Sequence, residues 1–352
     1  MKQTTKVFGD MKMQHEHNIP NQTNMAKLNA KHYTDPTVFH TEKQHLFRNS
    51  WLLAGHHSQL PQDSQMASTI AGIPILLWHR KEGIKAFVNA CRHRGAPLVG
   101  DGEVKQGNTV RCPYHGWIYN SDGLLSNNTD FGTDCDPLQL FPLHICIVDQ
   151  WIFVAFHEPK ESPQSLYPTL FHRLIEKRDW TVQATAIHKL HCNWKLYVEN
   201  YLEGYHIPYI HPTLSKEIKM SSYRIVIRNR EIEHCVETKE TSTNQGYWAY
   251  CWPNLAVNLY ANGMSIERIL PISPEETLIQ YWYLFPKEST ASQREEAQHM
   301  SATVTQEDIR IVEAIQQTMN SGIINPGPLS PKHEQGVLAF QQWVQESYSV
   351  KT

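Results

Sequence analysis

Cys91-Arg92-His93-Arg94-Gly95 and Cys112-Pro113-Tyr114-His115-Gly116-Trp117 decide how the first part of this chain folds. Each string offers one thiolate and one imidazole donor, spaced C-x-H in the first and C-x2-H in the second. Together they make a Cys2His2 set carried on two loops. Such a set suits a [2Fe–2S] cluster in which two imidazoles replace two thiolates on one iron, a change that removes negative charge and raises the reduction potential. Structural zinc is the competing reading, but zinc fingers pair like ligands, as C-x2–4-C with H-x3–5-H. Here unlike ligands are paired. Each pair is followed by a glycine, Gly95 or Gly116, whose access to positive φ lets backbone N–H groups turn toward cluster sulfurs. Ligand order favours the cluster, and with it a one-electron relay.

The run CRHRGAPLVGDGEVKQGNTVRCPYHGWIYNSDGLL, residues 91–125, resembles the Rieske domain of ring-hydroxylating and demethylating oxygenase α subunits. The resemblance extends over nearly the whole chain and includes the upstream Trp51-Leu52-Leu53-Ala54-Gly55. It implies that Cys91 and Cys112 hold one iron and that His93 and His115 hold the other.

A length of 352 residues fits two domains. Hydrophobic content of 40% and charged content of 19% are those of an ordinary globular protein, and a net charge of −3 carries no nucleic-acid footprint. Beyond the two ligand cysteines, Cys135, Cys146, Cys192, Cys235 and Cys251 show no paired spacing, which argues against a disulfide framework. No stretch is long and apolar enough for a membrane span. The N-terminal residues have neither an apolar export core nor a twin arginine, so the cytoplasm is the expected location.

Residues 1–30 read as a polar, mobile arm, and 34–48 as helical. Short aromatic or β-branched strands are expected at 51–54, 75–79, 86–88, 109–111, 117–119 and 151–155. They define an all-β cluster domain over 31–158. A proline-rich connection at 159–168 opens the second domain, 159–352. Its expected elements are a helix at 170–178, strands at 181–190, 223–229, 255–260, 265–271 and 277–285, and a helix at 301–319. The fold class is therefore α+β, and the resemblance implies a helix-grip arrangement of antiparallel sheet and C-terminal helix.

The second informative stretch is Asn200-Tyr201-Leu202-Glu203-Gly204-Tyr205-His206-Ile207-Pro208-Tyr209-Ile210-His211-Pro212. Trp194, Val198, Tyr201 and Tyr205 fall at helical spacing, and Glu203 and His206, three apart, share a face. Pro208 is expected to interrupt this helix and let His211 swing back toward His206. Taken alone, Glu203 and His206 also fit the wet side of an amphipathic helix.

The resemblance implies that His206 and His211 are ligands of a mononuclear Fe(II). Two histidines and one carboxylate leave open positions, the pattern of non-heme oxygenases. The carboxylate is expected on the C-terminal helix. Asp308 lies in line with Val312, Ile315 and Met319 and is the favoured ligand, with Glu307 the alternative. Thr305-x-x-Asp308 also reads as a helix cap. In the family, the acid three residues before the first iron histidine links it to a cluster histidine of a neighbouring subunit. Here that acid is Glu203, where most members have Asp, and the preceding Asn200 stands one residue closer than in ring dioxygenases.

By resemblance, a separate NAD(P)H-dependent reductase or ferredoxin supplies electrons, since the chain carries no dinucleotide fingerprint. A relay between subunits implies a ring, expected to be a trimer. Substrate candidates are a quaternary ammonium compound of the carnitine, glycine betaine or choline type, hydroxylated or N-demethylated, and an aromatic ring or acid. Tyr197, Tyr205, Trp248, Tyr250, Trp252 and Tyr260 are candidates for a cation-binding cage, or simply for core. An electron carrier with an inactive second domain and a zinc-stabilised binding protein are the remaining alternatives.

Overall fold

A computed structural model of the chain describes residues 24–128, 138–236, 247–260, 262–324 and 327–349. Among the described residues, ten strands precede residue 156: β1 (Leu52–His56), β2 (Ser64–Ile70), β3 (Ile73–Arg80), β4 (Gly83–Val88), β5 (Val104–Gln106), β6 (Thr109–Arg111), β7 (Ile118–Asn120), β8 (Leu125–Asn127), β9 (His144–Val148) and β10 (Trp151–Ala155). They form sheets ordered β4-β3-β2-β5, β6-β7-β8 and β1-β10-β9. Sequence patterning anticipated six of the ten. Those it missed are β2, β5, β8 and β9, of which β5 and β8 are three-residue strands too short to show alternation.

The second part is a seven-stranded antiparallel sheet. Its strands are β11 (Thr181–Leu190), β12 (Arg224–Arg228), β13 (Glu231–Cys235), β14 (Tyr247–Cys251), β15 (Leu255–Tyr260), β16 (Gly263–Ser273) and β17 (Glu276–Phe285), in the order β11-β17-β16-β15-β14-β13-β12. Strands β13 and β14 were not anticipated. The acidic residues of β13 suggest solvent, yet Glu231 is buried, because its carboxylate accepts Thr169 N–H at 3.1 Å, Leu170 N–H at 2.7 Å and the Tyr247 hydroxyl at 2.8 Å.

Three helices matter for the site: α1 (Trp194–Tyr201), α2 (Ala291–Met319) and α3 (Gln335–Tyr348). Helix α2 starts ten residues before the expected 301, at a capping box in which the Thr290 hydroxyl accepts Gln293 N–H at 3.3 Å and the Gln293 amide oxygen accepts Thr290 N–H at 2.9 Å. Thr305 and Asp308 are therefore interior to the helix, and the capping reading of Asp308 is corrected. Helix α3 was not anticipated.

Helices α1 and α2 lie against one face of the large sheet. Tyr201 Oη donates to Asn258 Oδ1 at 3.0 Å, Tyr197 Oη to Glu267 Oε2 at 2.7 Å, and the Tyr281 and Thr305 hydroxyls meet at 2.7 Å. The buried Lys195–Glu42 pair, 2.6 Å apart, receives Trp194 Nε1–H at 2.9 Å and the Tyr348 hydroxyl at 2.8 Å, and so locks α1 and α3 to the helical segment before β1. The first 23 residues of the expected arm lie outside the described residues, while Leu28 is buried and Ala26 N–H reaches Gly327 O at 2.9 Å.

Candidate cluster and iron sites

The loop carrying Cys91 and His93 follows β4, and the loop carrying Cys112 and His115 joins β6 to β7. Each closes on itself. Gly95 N–H donates to Cys91 O at 2.8 Å and Gly116 N–H to Cys112 O at 3.1 Å. Both glycines sit at positive φ, +73° and +76°, where a side chain would be strained.

Pairing in space is the reverse of pairing in sequence. The Cys91 and Cys112 thiols are buried and close enough to interact, and the His93 and His115 rings meet with centroids 4.7 Å apart. Two sulfurs therefore stand together at a buried end and two imidazoles at an outer end, with His115 exposed. That arrangement fits two irons with unlike ligand pairs. Tyr119 serves the buried end. Its oxygen accepts Arg92 N–H at 3.0 Å and lies 3.2 Å from Cys91 Sγ, to which it is the donor once Cys91 ligates as a thiolate without a proton. Burial pushes the Cys91 thiol pKa up, while the Tyr119 hydrogen bond pulls against it.

At the second centre, helix α1 stops at Tyr201 instead of running on to Pro208. A Cβ on Gly204 would lie 2.4 Å from the Tyr223 ring, so the chain leaves the helix along a path open only to glycine. Pro208 then sits in the first turn of the short helix Ile207–Ile210, a position it favours. Glu203 and His206 meet through a turn rather than on a helix face. Glu203 accepts the backbone N–H groups of Tyr205 and of His206, the latter at 3.1 Å, and its other oxygen lies 2.6 Å from His206 Nδ1.

His206 Nε2 and His211 Nε2 approach to 3.2 Å, and Asp308 Oδ1 lies 3.0 Å from the second and 3.7 Å from the first. Ligand atoms of His206, His211 and Asp308 all lie within 4.8 Å of one another. Glu307 takes the opposite nitrogen of His211, with Oε2 2.7 Å from Nδ1, and Asn200 Nδ2 donates to Asp308 Oδ1 at 2.7 Å. With a carboxylate on each Nδ1, both imidazoles are set to carry the proton there and to aim Nε2 lone pairs at a common point beside a carboxylate. Such a convergence of lone pairs and negative charge fits a divalent metal. Burial lowers the His211 pKa, but the hydrogen bonds and charges of Asp308 and Glu307 outweigh it and leave the group raised.

Cross-strand register puts His234, Trp248, Asn258 and Ser265 in one row, and Ile232, Tyr250, Ala256, Glu267 and Tyr281 in the next, both facing α1 and α2. Of the cage candidates, Tyr197, Trp248, Tyr250 and Tyr260 face this interior, and Trp248 Nε1–H donates to Tyr260 Oη at 3.1 Å. Tyr205 is exposed against His333, Tyr250 packs on Phe340, and Trp252 packs on Trp343. Reasoning from the sequence missed Tyr119, Glu267 and His234. For His234 a signal existed, since Ile232 and His234 alternate with Glu231 and Glu233.

Residues 50–142 match the family model described as Rieske [2Fe-2S] domain, and residues 176–349 match the one described as ring hydroxylating alpha subunit (catalytic domain). The chain belongs to the Rieske non-heme iron oxygenases. This oxygenase is 28% identical to the carnitine monooxygenase oxygenase subunit of Escherichia coli K12 over 316 residues, covering 83% of this chain and 84% of that one. It is 24% identical to the chloroplastic choline monooxygenase of Atriplex hortensis, covering 89% and 76% of the two chains. Its fold superposes on the quaternary ammonium Rieske monooxygenase CntA in complex with L-carnitine with a TM-score of 0.82 at 24% identity, covering 92% and 96%. Naphthalene 1,2-dioxygenase from Rhodococcus sp. gives a TM-score of 0.77 at 17% identity, covering 92% and 95%. The oxygenase uses a Rieske [2Fe–2S] cluster and a mononuclear iron, and as one component of a multicomponent system it depends on an external electron donor. None of its helices, among the described residues, is long and apolar enough to cross a membrane. Cys146, Cys192, Cys235 and Cys251 are free thiols, and Cys135 lies outside the described residues.

Proposed function

We propose that this oxygenase hydroxylates or N-demethylates a quaternary ammonium compound. Cys91 and Cys112 hold one iron of the cluster, His93 and His115 the other, and His206, His211 and Asp308 hold the mononuclear iron. The observation that carries this reading is the convergence of two imidazole Nε2 atoms and one carboxylate, with each imidazole backed by its own glutamate. The resemblance to carnitine and choline monooxygenases supports the substrate class.

Held by these residues, the cluster would supply one-electron transfer and the mononuclear iron would supply the activation of dioxygen. The chain's own residues do the rest. Glu203 and Glu307 hold the proton on each Nδ1 and keep Nε2 a ligand. Asn200 Nδ2 donates to Asp308 Oδ1 and so fixes the orientation of that carboxylate beside the two Nε2 atoms. The subunits are proposed to form a head-to-tail trimer in the cytoplasm, with His115 of one copy meeting Glu203 of the next. Support comes from the exposed imidazole edge of the cluster loops and from the remaining acceptor capacity of the Glu203 carboxylate. A separate NAD(P)H-dependent reductase supplies the electrons.

The test is substrate-dependent NADH and O2 consumption with a compatible reductase, comparing trimethylammonium compounds with benzoate-like acids, on protein analysed for iron. The expected result is about three irons per chain and turnover of the ammonium compounds alone. Turnover of the aromatic acids instead would replace the substrate reading, and about two irons per chain with no turnover would leave an electron carrier.

A further inference from the structure

His234 on β13 is 94% removed from solvent, with 6% of its surface exposed, yet among the described residues only one of its ring nitrogens finds a partner. Nδ1 lies 2.5 Å from the Tyr223 hydroxyl, while Nε2 has no partner among the described residues. A phenol is a better donor than an imidazole N–H, and an imidazole nitrogen is a better acceptor than a phenol oxygen. The Tyr223 proton therefore points at Nδ1, and Nε2 carries the histidine's own proton. An unmet buried donor costs about 1–3 kcal/mol, and native proteins keep few without a use. Burial holds the His234 pKa down at about 3, so the ring stays neutral and the donor stays singular.

The location of this donor suggests its use. His234 is in the inner-face row that also holds Trp248 and Asn258, and its ring packs edge-on against Tyr201 of α1, with centroids 5.3 Å apart. Tyr223, which sets its tautomer, packs against Gly204, two residues before His206. Trp248 is its direct cross-strand neighbour, and such neighbours hold their Cβ atoms about 4.5–5.5 Å apart. An indole face attracts a quaternary ammonium group, and an N–H beside it accepts nothing but a hydrogen-bond-accepting atom.

We propose that His234 and Trp248 form a specificity pair for the substrate, in which Trp248 receives the ammonium group and His234 Nε2–H donates to an oxygen of the same molecule a few bonds away. The proposal rests on the quaternary ammonium reading and narrows it to compounds bearing a hydroxyl or carboxylate near the nitrogen. His234 is a specificity residue, with Tyr223 as the positioning residue behind it.

The experiment is calorimetric binding and kcat/KM on iron-loaded holoenzyme with a ladder of three probes: carnitine, γ-butyrobetaine, which lacks its hydroxyl, and butyltrimethylammonium, which also lacks the carboxylate. Wild type is expected to lose about tenfold in affinity at the rung that removes the bound oxygen, the scale of one buried hydrogen bond. His234→Leu removes that step and leaves butyltrimethylammonium binding within about twofold, His234→Gln restores part of it, and Trp248→Leu weakens all three probes alike. Cluster absorbance and iron content check that each variant is folded, and the Gln variant keeps the test open should the Leu variant not fold. A wild-type ladder without a step, or a step that survives in both His234 variants, overturns the pair while leaving the ammonium reading standing. Failure of wild type to bind any of the three overturns both.

Discussion

Tyr119→Phe isolates a single hydrogen bond at the cluster loops. The Tyr119 hydroxyl lies 3.2 Å from Cys91 Sγ and donates to it when Cys91 is a ligating thiolate, while Arg92 N–H holds the same oxygen in place at 3.0 Å. A hydrogen bond to a charged acceptor contributes about 1.5–3 kcal/mol. Reduction adds charge that the ligand sulfur shares, so the reduced cluster gains more from this donor than the oxidised one. If a third to a half of the bond's strength appears only on reduction, the difference is about 0.5–1.5 kcal/mol. For a one-electron couple a tenfold change in equilibrium is 59 mV, and the midpoint should fall by roughly 20–65 mV in the variant. The sign follows from removing a donor that favours the more negative state. Spectroelectrochemical titration of the holoenzyme measures it without substrate or reductase. An unchanged or raised midpoint, with cluster content intact, would refute the assignment of Cys91 as a ligand served by Tyr119.

Three further outcomes follow from the iron site and the inner face. Asp308→Ala should keep the cluster colour and lose the mononuclear iron outright, whereas Glu307→Gln should keep that iron with affinity lowered about 10–100-fold, read by retention against a chelator; the reverse pattern would exchange their roles. Glu203→Gln should retain both metals and slow reoxidation of the reduced cluster in single-turnover mixing by at least about tenfold, and wild-type rates would remove it from the electron path. Glu267 is buried among Tyr197 and Asn258, and burial lifts its carboxyl from the ordinary 4.5 to about 7. The folded protein therefore holds a proton that the unfolded chain releases, and stability falls as pH rises from about 4.5 to about 7. Glu267→Gln should flatten that part of the Tm-against-pH curve, and an unchanged slope would contradict the raised value.

Legibility differed by element. Strands such as β11, β16 and β17, ten or eleven residues long, were readable because they are extended runs rich in β-branched, aromatic and other apolar residues. β13 was not, because its outward acid, Glu231, is satisfied by two backbone amides contributed from Thr169 and Leu170, far away in sequence. The continuous helix expected through His206 failed for a similar reason. The break at Gly204 is dictated by a tyrosine nineteen positions on, Tyr223, whose approach no local pattern encodes.

The donor inventory is a property of the sequence alone: two thiols, four imidazoles and a small set of carboxylates, with glycines placed where the ligand loops must turn at positive φ. Chemistry of that kind survives any packing, because it depends on residue type and on backbone geometry a few residues long. Partner choice does not. Which sulfur faces which sulfur, why Asp308 meets Nε2 of His211 while its neighbour Glu307 meets Nδ1, and why one buried histidine keeps a nitrogen to spare beside Trp248 were all decided by strand register and by helices crossing a sheet, since only those bring residues a hundred positions apart to within a hydrogen bond.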